Sequence, residues 1–390
     1  MDPYILYAMP GSLYSAKARS YLRKHRIEYV ERAPGDARYN DEVVPAIGRW
    51  IIPVLQAPDG TIVQDTVDII DHLDATVAPG RSAYPDTPVQ RAVAHLLELF
   101  GGEGLLRPAM HYRWDFDDTN VPFLRKDFSA SLVLGGDDDT RDGVFAFSSD
   151  RMRSATAAFG VSEELVPEIE RSYAEFLALF DAHLAGSPYL LGGRPTIADF
   201  GFMGPLHAHL ARDPYPSVQM KQQAQRVWRW VERMSAPVLD ASEYGDVSEE
   251  LFADDAVPAT LQALLAYIGD EYLEEAMAQV AAVDGWLAEH PDVTDGDVVL
   301  GKANRRFSGT TTFPWRGESM TVAVVPYRLY LIKRLQDSVA AGTAEDQAAV
   351  RAVFAEAGLD PLLDVTPRRW VVRGDNREVW GPAQEPVFPG

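Results

Sequence analysis

The chain of 390 residues contains no cysteine. That excludes disulfides, thiolate metal ligands and any mechanism that uses a protein thiol as nucleophile or redox centre. Positive charge is also scarce: 36 Lys and Arg stand against 58 Asp and Glu, a formal net charge of −22. Such a surface repels phosphate backbones and anionic headgroups, so neither nucleic acid nor membrane is an expected partner. No uninterrupted apolar run approaches the roughly 20 residues of a membrane span. The opening "MDPYILYAMPG" lacks a basic segment followed by a long apolar one, so no signal peptide is expected and a cytoplasmic location is the default. The dinucleotide fingerprint G-x-G-x-x-G is missing as well.

What is present has a clear order. A chain of this length exceeds one ordinary core, and two or three domains are expected. Residues 4 to 8 read as a strand, Ser15 to His25 as a helix and "IEYVER" as a second strand. After a looser polar stretch, "WIIPVLQAPDGTIVQD" gives two strands joined by an Asp59-Gly60 turn. "TVDIIDHLDAT" then starts a helix at Thr66. This is a small α/β layer over residues 1–80. A linker, "TVAPGRSAYPDTPVQ", leads to long helices over 88–240, the clearest carrying Leu165, Ile169, Tyr173, Phe176, Phe180 and Leu184 at helical spacing. Within this block "GGDDDTRDG" reads as an exposed acidic loop. Residues 246–390 form a further segment: helical runs, a Thr-rich extended stretch near "FSGTTTFPW" and another helix around "PYRLYLIKRLQDSV".

Three features of the first 80 residues carry chemistry. Ser12 stands at the mouth of the first helix, where its hydroxyl either caps the orphan amides or helps hold an anion at the positive helix end. Ile52-Pro53 opens a strand, the one place a ladder tolerates proline; such a proline is often cis and frees neighbouring backbone groups for a peptide-like ligand. Asp65-Thr66 sits at a strand-to-helix junction, where a carboxylate and a hydroxyl can hold an ammonium and a carboxylate. Ser12 and the Asp65-Thr66 pair also have a plain capping role open to them, and Pro53 that of an ordinary edge-strand proline.

Together, "IIPVL…DGTIVQDTVDIIDHL" and "PTIADF" resemble the glutathione S-transferase family over roughly residues 4–240. The resemblance implies a thioredoxin-like N-terminal domain, an all-helical C-terminal domain, and glutathione as co-substrate without a metal. It further implies that Ile52 bonds the cysteinyl part of glutathione beside Pro53, that Asp65 and Thr66 hold its γ-glutamyl end, and that Thr196 and Asp199 form a structural capping box. Ser12 falls where serine-type members place the hydroxyl that donates to the sulfur; Tyr7 and Ser15 are the other candidate donors. Arg38 or Arg49 is available for the glycyl carboxylate. His111, Tyr112, Arg113 and Trp114 lie where the wall of an electrophile site would continue, with core packing as the competing role, and Arg113 then solvated. His207 and His209 point apart on a helix and form no metal pair.

The implied activity is transfer of the glutathione thiolate to a small aromatic or hydrophobic electrophile, or glutathione-dependent bond cleavage, by a cytoplasmic homodimer with a detoxifying role. The alternative is a non-catalytic ligand-binding or interaction protein of the same fold. The family pattern ends near residue 245. The mainly helical extension beyond it reads as a cover over the electrophile site, an oligomerisation element or a small docked domain.

Overall fold

The computed structural model describes residues 3–77, 82–238, 240–246 and 248–389. Four of the linker residues, 78–81, therefore lie outside the described part. The chain opens with β1 (Tyr4–Tyr7), α1 (Leu13–Lys24), β2 (Tyr29–Arg32), the short α2 (Val44–Ile47), β3 (Val54–Gln56), β4 (Ile62–Gln64) and α3 (Thr66–Thr76). The strands form one sheet in the order β2-β1-β3-β4, with β1 parallel to β2 and antiparallel to β3. Side chains alternate across it, as the two-residue period requires. Leu6 and Leu55 enter the main core, while Tyr7 and Val54 pack under the sheet against Tyr39, Val43 and Ile47.

The helical block is α4 (Pro88–Leu99), α5 (Leu106–Trp114), α6 (Asp117–Leu132), α7 (Asp138–Ser154), α8 (Val166–His183), α9 (Ile197–Pro205), α10 (Pro214–Gln223) and α11 (Gln225–Ser235). The acidic stretch read as a loop is instead the start of α7. Asp137 caps it by accepting from the Thr140 N–H at 2.9 Å, and Asp138 and Asp139 occupy its first turn. Carboxylates there complement the positive helix end, so a charge run that looks like a loop is a helix start. At α9 the capping box is present: Asp199 accepts from the Thr196 N–H at 3.0 Å, and also from the Leu190 N–H and the Trp230 indole. Burial pushes its carboxyl up to about 6.

The extension comprises α12 (Ala259–Glu289), the hairpin β5 (Thr310–Trp315) and β6 (Glu318–Ala323), α13 (Tyr327–Ala340), α14 (Ala344–Glu356), α15 (Pro361–Asp364) and the hairpin β7 (Arg369–Gly374) and β8 (Arg377–Ala383). It has no separate main core. Leu261, Leu264, Ile268, Leu329, Ile332 and Trp380 belong to the same continuous apolar cluster as Leu6, Leu97 and Phe176. Close approach fixes one glycine: a Cβ on Gly269 of α12 would lie 2.1 Å from the Ala357 carbonyl oxygen. Among the described residues no helix is long and apolar enough to cross a membrane.

A chain of buried ion pairs runs through this shared interior. Arg328 of α13 donates to Glu103 at 3.1 Å and to Glu275; Arg107 meets Glu275 and, at 2.8 Å, Glu271; Arg316 also reaches Glu271 at 2.8 Å. Glu103 accepts the Tyr14 hydroxyl at 3.0 Å, which links the extension to the first turn of α1. Buried charges are tolerated when every member is paired in this way.

Candidate functional site

The first candidate element is the corner between β1 and α1 at Ser12, which does not line the cavity described below. Ser12 is the N-cap of α1, and its Oγ accepts from the Ser15 N–H at 3.3 Å. No described residue accepts the Ser12 hydroxyl proton, so capping and outward donation are compatible: one lone pair serves the helix and the O–H remains free. The turn before it is pinned from the helical block. Arg113, fully buried and paired through Nε and Nη2 with Asp213 at 2.7 and 2.9 Å, also donates to the Gly11 carbonyl at 2.9 Å. A Cβ on Gly11 would meet Asp127 Oδ2 at 2.9 Å, beside the Arg113 guanidinium, and only glycine leaves that approach open.

The second is the Ile52-Pro53 bend, whose peptide bond is cis. Tyr39 holds it from below: its hydroxyl donates to the Ile51 carbonyl at 2.5 Å and accepts from the Ile51 N–H at 3.0 Å. The next residue, Ile52, makes no backbone hydrogen bond to any described residue. A peptide N–H and C=O left unpaired beside a cavity are groups that a ligand backbone can satisfy.

The third is Asp65-Thr66 at the start of α3. Asp65 has φ 89 and ψ 140. A non-glycine residue held there costs on the order of 1–3 kcal/mol and persists only where its surroundings over-determine it. Two bonds do so: Oδ1 accepts from the Val67 N–H at 2.9 Å and from the Tyr327 hydroxyl at 2.9 Å. Oδ2 has no partner among the described residues. The neighbouring Thr66 is buried and lines the cavity, and no described residue bonds its hydroxyl.

A cavity of about 50 Å³ lies between the Ile52-Pro53 bend, Asp65-Thr66, Tyr14 and the extension. At roughly 10–15 Å³ per water it has room for about four waters. Burial and the adjacent Glu103 carboxylate push the Tyr14 phenol well up, so it stays protonated. Ser12 is outside this wall. Ile52 lines the cavity and also packs against a separate apolar cluster of Met9, Met110, Trp114, Leu124 and Phe128, with Phe123, Phe145 and Phe159 around it.

The other sequence candidates are placed as follows. Tyr7 is buried under the sheet, its hydroxyl on Gln56 Oε1 at 3.3 Å and its ring against Tyr39, and it does not reach the cavity. Ser15 is buried one turn into α1, facing the Met9 N–H. Arg38 is exposed and outside the cavity, whereas Arg49 lines it, donating to Glu378, to the Gln64 amide at 2.5 Å and to the Ala303 carbonyl at 2.9 Å. His111 is buried between Asp115 at 2.6 Å and Glu170 at 3.2 Å and is not part of the Met110–Trp114 cluster. Tyr112 stacks on Phe116 and packs against Tyr173 in the helical core. Trp114 belongs to the cluster beside Ile52, with Arg153 over its ring at 4.7 Å. Arg113, read as solvated if the stretch were core, is the buried tie described above.

The extension contributes residues that sequence reading did not connect with the site. Arg373 of β7 donates to Asp68 Oδ2 at 2.8 Å and to the Gln64 carbonyl at 2.7 Å. Asn376, in the turn between β7 and β8, accepts from the Gln64 N–H at 2.7 Å and donates to the Ile62 carbonyl at 3.1 Å. Its amide therefore satisfies the open edge of β4. The turn was legible: Asp375-Asn376, between "RWVVR" and "REVW", suits the positive φ of 47 and 61 that both residues adopt. Among the described residues no cluster of His, Asp and Glu is arranged to hold a metal ion.

Two family models match the chain: the glutathione S-transferase N-terminal domain over residues 6–81 and the glutathione S-transferase C-terminal domain over residues 163–233. No curated protein matches it. Among solved structures, glutathione transferase GSTFuA3 from Phanerochaete chrysosporium is 19% identical, covering 61% of this chain and 98% of its own, at a TM-score of 0.43. The beta-etherase LigF from Sphingobium sp. strain SYK-6 is 17% identical over 60% of this chain and 96% of its own, at 0.40. A glutathione S-transferase from Methylobacterium radiotolerans, in complex with glutathione sulfonate, is 19% identical over 66% and 100%, at 0.35.

Proposed function

The chain belongs to the glutathione S-transferase family, both of whose domains it carries, and on that premise we propose that it binds glutathione and activates it as a thiolate for attack on a small electrophile. The observation that carries this reading is the set of unpaired groups around one cavity: the Ile52 N–H and C=O, Asp65 Oδ2 and the Thr66 hydroxyl. They match a cysteinyl backbone, a γ-glutamyl ammonium and a γ-glutamyl carboxylate in turn.

Ser12 is the thiolate donor in this reading. Its Oγ already accepts a helix amide, which polarises the O–H toward an anion. Lowering a thiol by about two units from its free value near ~8.5 needs roughly 2.7 kcal/mol. A hydrogen bond to a charged group supplies ~1.5–3 kcal/mol, and a helix N-terminus a further ~0.3–1 kcal/mol. No base is required. In this reading the electrophile is small and aromatic or hydrophobic, for conjugation or glutathione-dependent bond cleavage; the Met9–Met110–Trp114 cluster beside Ile52 is buried and is assigned no contact with it. Location in the cytoplasm and pairing as a homodimer are part of the same proposal and rest on the family resemblance; sedimentation of the purified chain tests the second.

The alternative is a ligand-binding protein of the same fold without turnover. Thiolate absorbance of glutathione, titrated with pH against excess protein, separates the two. The chain has no thiol of its own, so any thiolate signal is the ligand's. A lowered thiol pKa in wild type that returns to the free value in Ser12→Ala supports the transferase; a pKa identical with and without protein refutes it.

A further inference from the structure

The cavity has a further wall, supplied by the extension and not by either family domain. Lys302, Arg305 and Arg306 of the extension line the cavity together with Arg49, against only Asp65 and Glu378 among its acidic lining residues. Four cations against two carboxylates leave a local excess of two positive charges, on a chain whose net charge is −22. Arg49 is already committed to Glu378 and Gln64. Lys302 and Arg305 have no partner among the described residues, although acidic side chains outnumber basic ones throughout the protein.

Their position is built. The Ala303 carbonyl accepts from Arg49 at 2.9 Å, which anchors the 302–306 segment to the first domain. Apart from its thiolate, which belongs at Ser12, glutathione brings two carboxylates and one ammonium to this wall, a net charge of −1 that the positive excess accommodates. Resting on the proposed glutathione reading, we propose that Lys302 and Arg305 are specificity residues that recognise the carboxylate left over once Asp65 and Thr66 have taken the γ-glutamyl end. The extension is then part of the co-substrate site: it selects a thiol bearing a second, distal carboxylate and discriminates against thiols that lack one. The Tyr327 hydroxyl on Asp65 Oδ1 is the complementary positioning contact, leaving Oδ2 for the ammonium.

The test is calorimetric binding of glutathione and of its glycyl monoethyl ester, to wild type and to a Lys302→Gln/Arg305→Gln double variant. Both side chains are exposed, so melting temperature should not change. Charge-assisted bonds at a solvated rim predict that wild type prefers glutathione over the ester by about tenfold, with a preference that weakens as salt is raised. The double variant should bind glutathione about tenfold more weakly, bind the ester as wild type does, and lose most of the salt dependence. Equal wild-type affinity for acid and ester, or a double variant that still discriminates, would overturn the assignment while leaving the glutathione reading intact. Binding of neither compound by wild type would overturn both.

Discussion

Replacing Arg328 by methionine tests whether the extension is an integral part of the fold. The guanidinium is buried at 2% exposure, donates to Glu103 at 3.1 Å and to Glu275, and lies 5.8 Å from the Tyr272 ring centroid. Methionine keeps most of the volume but leaves two buried carboxylates without their shared cation. Removing one partner of a buried pair typically costs ~3–5 kcal/mol. Here Glu275 keeps Arg107 and Glu103 keeps the Tyr14 hydroxyl, so the lower end, about 3 kcal/mol, is expected. Urea unfolding followed by both far-ultraviolet circular dichroism and tryptophan fluorescence measures it, with coincident curves as the check on two-state behaviour. Adding Glu103→Gln removes one of the stranded charges, and the double variant should recover about 1–2 kcal/mol. A single variant within ~0.5 kcal/mol of wild type, or a double variant that is further destabilised, would refute the claim that these charges form one network.

Other expectations can be checked independently. Asp65→Asn keeps the cap acceptor but removes the charge, so the glutathione KM should rise about tenfold with kcat within a few-fold; a fall in kcat at unchanged KM would contradict the γ-glutamyl assignment. Deleting residues 246–390 should give insoluble protein, because α13 and α12 fill the core shared with α4 and α8; a soluble, fully active truncation would show that core to be dispensable. Burial opposes ionisation of Glu98, but Lys17, the His95 hydrogen bond and Arg334 together hold its carboxyl down, at about 2. A depressed acid contributes stability above its unfolded value near ~4.5 that is lost as pH falls through the folded value. Between pH 4.5 and 2 the wild type should therefore lose about 3 kcal/mol that Glu98→Gln lacks from the start; parallel acid profiles for the two proteins would refute it.

Local chemistry was readable residue by residue. The Asp59-Gly60 turn, the cap at Ser12, the Thr196–Asp199 box and the Asp65-Thr66 junction each depend on neighbours within a few positions, so spacing alone reveals them. The α7 start was missed because an acidic run suits both a loop and a helix's first turn, and only the geometry of Asp137 distinguishes them. Arg113 and His111 were missed differently. Whether a charged side chain on α5 is solvated or buried depends on partners about 100 and 59 residues away, Asp213 and Glu170, and no local pattern encodes that.

By itself, then, the sequence determined the strands and main helices of the first α/β layer, the likeness to the glutathione S-transferase family, the absence of a protein thiol, and the Ile52-Pro53 bend and Asp65-Thr66 junction, because these follow from short-range sterics and hydrogen bonding. The tertiary structure alone decided that the last third of the chain shares the main core and closes one side of the cavity at Ile52-Pro53 and Asp65-Thr66. That closure rests on contacts such as Tyr327 to Asp65 and Asn376 to Gln64, across 262 and 312 residues. A fold can bring such groups together only after its core has formed, since the apolar burial that aligns them is a property of the whole packed interior.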